Sequence, residues 1–152
     1  MARRVPLNYI LLGIFTACFS YMTGFVTVQI NYVDVLIAAS MTFALVGGLT
    51  LYALTTKTDF SAMTAFIWTM CVGLIVASIL AMIIRSRLVQ IALSVLTLIV
   101  LSIFVIYDTQ LILGNQSLQL SIDDYIFAAM MLYIDIMRIF LEILKLIQHA
   151  NR

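Results

Sequence analysis

Hydrophobic residues fall into five long runs separated by short polar breaks. The first uncharged run extends from Val5 to Ile30 and ends at a break containing Asn31 and Asp34. The second runs from Val35 to Thr56 and the third from Phe60 to Ile84, with Lys57 and Asp59 between them. Arg85-Ser86-Arg87 precedes a fourth, Leu88 to Tyr107, whose apolar character resumes beyond Asp108. A polar loop, NQSLQLSIDD, then leads to Tyr125 and the last run. Each run is long enough to cross about 30 Å of hydrocarbon as a helix. The pattern predicts an all-α polytopic membrane bundle, a single domain over 1–152 with five transmembrane helices. Their expected limits are 6–30, 35–56, 60–84, 88–113 and 125–147. The first run is too long for a signal-peptide core of about 7–15 residues, so an uncleaved first span is expected.

Within the runs, side-chain size and polarity add detail. Ser40, Ala44 and Gly48 recur every four residues on the second helix, and Gly73, Ala77 and Ala81 on the third. Small residues on one face let helices approach closely in lipid, so tight packing is expected there. On the fourth helix Gln90, Ser94 and Thr97 share the face of Asp108, although Leu101 and Phe104 interrupt it. The fifth helix carries Asp135, Arg138, Glu142 and Lys145 at steps of three, four and three, and His149 continues the row. Such a row is a narrow stripe on a 3.6-residue helix. A helix lying on the membrane surface would show a wide polar face. The fifth helix is therefore read as a membrane helix with its polar edge toward the bundle interior.

Composition agrees with this reading. The 152 residues are 64% hydrophobic and 10% charged, too little polar material to cover a soluble domain. Mean hydropathy is +1.17. The net charge of +1 and the lack of a polybasic cluster give no sign of a nucleic-acid partner. Basic residues divide almost evenly between the two sides: Arg3, Arg4 and Lys57 against Arg85, Arg87, Lys145 and Arg152. Charge thus leaves the orientation open. Cys18 and Cys71 read as small buried hydrophobes, and His149, the single histidine, as a solvated tail residue. Phosphate-loop, zinc and HExxH patterns are absent, and one tail histidine makes a Ser–His or Cys–His apparatus implausible. No enzyme and no cofactor are expected.

The chemistry concentrates in Asp108 and Asp135, each inside an apolar run. An intramembrane carboxylate costs roughly 2.5–3.5 kcal/mol on insertion scales and marks a functional candidate. Asp108 lies six residues before Gly114 and Asp135 eleven after Asp124, which a 1.5 Å rise places roughly 9 and 16 Å from the loop. That permits a pair. Two carboxyls that meet cannot both ionise cheaply, so they would share a proton and titrate as a unit. The protonated pair would hold the helices together; deprotonation would part them or recruit an oxygen-seeking cation such as Ca²⁺ in a transient contact. Alternatively, Arg138, one turn from Asp135, would bind it and keep it charged and silent. Arg138 and Glu142 are the candidate counter-ion and polar stripe.

Three segments carry a family resemblance: Ile106-Tyr107-Asp108-Thr109-Gln110-Leu111, Asp123-Asp124-Tyr125-Ile126-Phe127-Ala128-Ala129 and Leu132-Tyr133-Ile134-Asp135-Ile136. Together they resemble the C-terminal signature of the Bax inhibitor-1 family, in its lifeguard and glutamate-receptor-associated branch. Val5-Pro6-Leu7-Asn8-Tyr9-Ile10-Leu11-Leu12 and Thr56-Lys57-Thr58-Asp59-Phe60-Ser61 are similar to that branch too. The resemblance implies seven membrane helices, an endoplasmic reticulum, Golgi or plasma membrane location, suppression of cell death and a pH-sensitive calcium leak. It carries the paired aspartates onto Asp108 and Asp135 and puts the N-terminal side in the cytosol. Expected partners are membrane lipid, the calcium ion, and full-length family members or apoptosis regulators.

The departures are specific. The chain matches the last five of the seven helices and opens with its own Met, as a short isoform, a truncation or a diverged copy would. The family arginine on the second helix that interacts with the aspartate pair has no counterpart. Relatives usually carry Asn where this chain has Met131 and Arg138, and many carry Glu where it has Phe19. Arg138 is expected to replace the missing arginine in part. Two functional expectations follow: a calcium leak gated by the aspartates, or a non-conducting membrane protein acting through helix contacts.

Overall fold

The computed structural model describes residues 7–56, 64–84, 86–113 and 125–151. Five α-helices and no strand occur among them: α1 Leu7–Thr27, α2 Tyr32–Thr55, α3 Thr64–Ile84, α4 Arg87–Leu113 and α5 Tyr125–Asn151. The Lys57 and Asp59 turn, the 114–124 loop and Arg85 lie outside the described residues. α2 begins at Tyr32 because Asn31 caps it, its side-chain oxygen accepting from the Val33 N–H at 3.2 Å. Asp34 adds negative charge to the first turn, where the helix dipole favours it.

α1 to α4 are each long and apolar enough to cross a membrane. α5 does not meet that apolar standard, because Asp135, Arg138 and Glu142 fall within one stretch of it. Its position in the bundle accounts for the difference. α5 packs against α4, α2 and α1, which buries Asp135 and half-buries Glu142, while Arg138 and Lys145 stay exposed. The tightest core lies where α2, α4 and α5 meet: Ala38, Leu101, Val105, Ile139, Ile143 and Leu144 are all buried. α1 and α3 sit outside this triangle, against α5 and α4 respectively.

Hydroxyl groups on the spans are satisfied locally. Thr16, Thr23, Thr42, Thr69, Thr97 and Thr109 each donate to the carbonyl four residues back, at 2.6–3.0 Å. In hydrocarbon no water competes for them, so this back-bonding lowers the cost of carrying hydroxyls through the spans.

The small-residue ladders fall only in part where sequence spacing puts them. Ser40, Ala44 and Gly48 are exposed. A Cβ added at Gly48 or Gly73 meets nothing within 4 Å. The packed face of α2 is instead Ala38, Thr42 and Ala53, with Val35, Leu45 and Leu49 partly buried around the core. On α3, Ile67 and Ala81 are buried, Cys71, Leu74 and Ala77 are half-buried, and Gly73 is exposed. Periodicity identifies a face; only the placement of α4 and α5 decides which face is covered. The cysteines also differ from expectation, Cys18 being exposed and Cys71 half-buried, both as free thiols.

α5 continues to Asn151, so His149 belongs to a helix and is half-buried. Its Nδ1 donates to the Lys145 carbonyl at 2.8 Å, and its Nε2 meets the Gln90 carboxamide at 2.6 Å. Nearby, Arg87 donates to the Ala150 carbonyl at 3.2 Å and Asn151 to the Asp34 carboxylate at 3.2 Å. The end of α5 is thereby clasped to the starts of α4 and α2. A cation on the last carbonyls of a helix also complements its dipole.

Two outcomes test this packing. Ala38→Leu should destabilise the bundle by about 1–3 kcal/mol through overpacking, whereas Ser40→Leu should stay within about 0.5 kcal/mol. Reversible unfolding in mixed micelles reads both. Gln90→Leu removes the His149 partner and should cost about 1 kcal/mol. Faster amide hydrogen exchange over residues 147–151 is its local signature.

Candidate functional site

The seam between α4 and α5 places the two aspartates. On α4, Leu101, Val105 and Asp108 follow one another at steps of four and three, which keeps them on one face. On α5, Ala128, Asp135, Ile139 and Ile143, at steps of seven, four and four, likewise share a face. The two helices are antiparallel, and burying the apolar members of each row brings the aspartates into register. Asp108 is 4% exposed and Asp135 7%, and their side chains lie beside each other across the seam. Asp108 Oδ1 and Asp135 Oδ2 remain buried without a hydrogen-bond partner. Leaving such atoms unmatched costs of order 1–3 kcal/mol each, more when charged. Two carboxyls at this range share a proton far more cheaply than they hold two charges.

Both carboxyls line a cavity of about 420 Å³ between α3, α4 and α5. Trp68 and Cys71 of α3, Tyr107 of α4, and Met131 and Arg138 of α5 complete most of its wall. Arg138 and Asp108 both act on Asp135 through their charge. Glu142 points elsewhere: its carboxylate pairs with Lys145 at 3.0 Å. Among the described residues no group of three or more His, Cys, Asp and Glu converges as a metal site. Ca²⁺ takes six to eight oxygens, so a two-carboxylate contact suits a passing ion better than a held one.

Three features of the site are not apparent from the chain alone. α3 has no charged residue over its described length, yet Trp68 and Cys71 wall the cavity; only the spacing of Ile67, Cys71 and Leu74 hinted at an inward face. Phe19, one of the departures from the family pattern, packs with Phe15 around Tyr133, ring centroids 5.9 and 6.2 Å away in edge-on geometry. Ser20 Oγ and the Tyr133 hydroxyl lie 3.3 Å apart beside them. This cluster fixes α1 to α5 two residues from Asp135.

Comparison with known proteins matches this architecture. The profile of the family described as "Inhibitor of apoptosis-promoting Bax1" matches residues 1–152. Human Protein lifeguard 3 is 33% identical over 153 residues, covering 98% of this chain and 49% of that protein. Mouse Protein lifeguard 3 is 32% identical, covering 95% and 48%, and mouse Protein lifeguard 4 is 33% identical, covering 97% and 60%. The chain spans about half the length of the lifeguard 3 proteins it matches. With its multi-pass helical bundle and a family match over its whole length, the chain belongs to the Bax inhibitor-1 family of non-enzymatic membrane proteins.

Proposed function

We propose that this protein is a pH-sensitive calcium leak of intracellular membranes, gated by Asp108 and Asp135, that lowers stored calcium and so restrains cell death. The observation that carries this reading is the contact between the two buried carboxyls, each with an unpartnered oxygen, on the wall of one cavity. With a proton between them the carboxyls hold α4 and α5 together at this level. When that proton leaves, two negative charges face each other in a low dielectric, where repulsion is strong. The helices part there, or a cation enters to neutralise them. Either response opens the site as pH rises. Arg138 acts on Asp135 through its charge, and Asp108 lies beside Asp135 on the same cavity wall. The family description supplies the link to apoptosis, and an endoplasmic reticulum or Golgi membrane fits a calcium-store role.

A second reading is contact-based modulation of full-length family members without conduction. The exposed face of Ser40, Ala44 and Gly48 favours it, since small residues facing lipid suit close approach by another helix.

Calcium flux from proteoliposomes at pH 6, 7 and 8 separates the two. The leak predicts flux that grows with pH in the native chain. Asp108→Asn and Asp135→Asn keep the shape of the pair and remove its shared ionisation, so each should abolish the pH dependence. Absence of flux above empty liposomes, from protein shown to be folded, would overturn the leak and leave the contact reading.

A further inference from the structure

A second cavity, about 450 Å³, lies next to the aspartate cavity along the same α3–α4–α5 groove. The two share Cys71, Phe104 and Arg138 as lining residues. Its other walls include Leu74 and Ile75 of α3, Thr97 of α4, and Glu142 and Lys145 of α5. α3 and α5 run toward one end of the bundle and α4 away from it. All of these residues therefore lie on one side of the aspartates, toward the clasped end that holds Ala150 and Asn151. In the opposite direction, Asp108 also borders a narrow void with Leu111, Ile112 and Ala128 that leaves no room for a water molecule.

We propose that the two joined cavities form one hydrated vestibule that gives water and small ions access to Asp108 and Asp135 from the membrane face holding the C-terminal end of α5, with Arg138 standing at the junction. The occupant follows from the lining. Asp108 and Asp135 line the inner chamber, and Arg138 borders both chambers. A lipid chain would leave those groups unmatched at a cost of several kcal/mol, whereas water can satisfy them. The Glu142–Lys145 pair contributes no net charge, so Arg138 sets the sign of the field in the outer chamber, before the carboxyls are reached. The vestibule deepens the functional reading above by assigning the side from which the aspartates are reached, yet it is testable without measuring ion flux.

The chain has two cysteines, and Cys71 lines both chambers whereas Cys18 does not. Cys18→Ser therefore leaves one native reporter in place. In proteoliposomes, external membrane-impermeant methanethiosulfonates should modify Cys71 in the same fraction of molecules as they modify Ala150→Cys, which marks the C-terminal side. Val76→Cys in a cysteine-free chain, on an exposed face of α3, should stay unmodified in lipid. A negatively charged reagent should act several-fold faster than a positive one, and Arg138→Asn should erase that preference. Three results would overturn the proposal. One is Cys71 unreactive in the folded protein but reactive once unfolded; another is labelling confined to the molecules marked by Leu113→Cys at the opposite end. The third is equal rates for the two reagents in the native chain, which would remove Arg138 from the path.

Discussion

Two carboxyl groups face each other in the interior of an apolar bundle, and the packing around them has to hold them there. Left to itself each would seek water, and each sits on a helix whose other buried residues are mostly apolar. The core formed by Ala38, Leu101, Val105, Ile139, Ile143 and Leu144 supplies the restraint. Val105 lies one turn from Asp108 and Ile139 one turn from Asp135, and both are fully buried. Dense packing of this kind has few alternative arrangements, so in the proposed gating a change of charge at the pair would be resolved as a discrete shift of helices rather than a gradual relaxation.

The remaining helices have lesser parts in this restraint. α2 closes the third side of the core through Ala38, whose small side chain lets the helix approach. α1 touches α5 mainly through the Phe15, Phe19 and Tyr133 cluster, a local anchor at the height of the aspartates. α3 packs on α4 and leaves the groove beside α5 open. The end of α5 is held separately by Gln90, Arg87 and Asp34. One end of α5 is thus tied by polar contacts outside the core, and its middle by the aspartate pair. The segment between them carries Arg138 and Glu142 and borders the two cavities.

What the chain made legible was local. Five apolar runs give five helices because hydrocarbon thickness and helix rise fix the length. Asp108 and Asp135 stand out because a charge within such a run has a cost that no neighbour in sequence removes. The covered face of α2 was not legible. Ser40, Ala44 and Gly48 form as regular a ladder as any, but Ala38 and Thr42, displaced around the helix, meet α4 and α5. Nothing within α2 encodes which side its partners occupy. The His149–Gln90 contact joins residues 59 apart in the chain and depends on the antiparallel register of α4 and α5. The α3 wall of the cavity has the same origin: Trp68 and Cys71 gain their role only from where α3 docks.

The charged row of α5 shows how far each span depends on the others. α1 to α4 are apolar enough to enter a bilayer as independent helices, and α5 is not. Asp135 is matched by Asp108 on α4, Glu142 by Lys145 within α5, and His149 by Gln90 on α4. Two of these three matches lie on α4, the helix preceding α5 across one loop. Any insertion of α5 would therefore depend on α4 being in place to receive its polar side chains, as a hairpin rather than as a lone span. Arg138 is left toward the cavities, where its long side chain can keep its charge hydrated. The requirement that makes α5 a poor isolated span thus also directs its polar edge to the α4 side, where the aspartates meet.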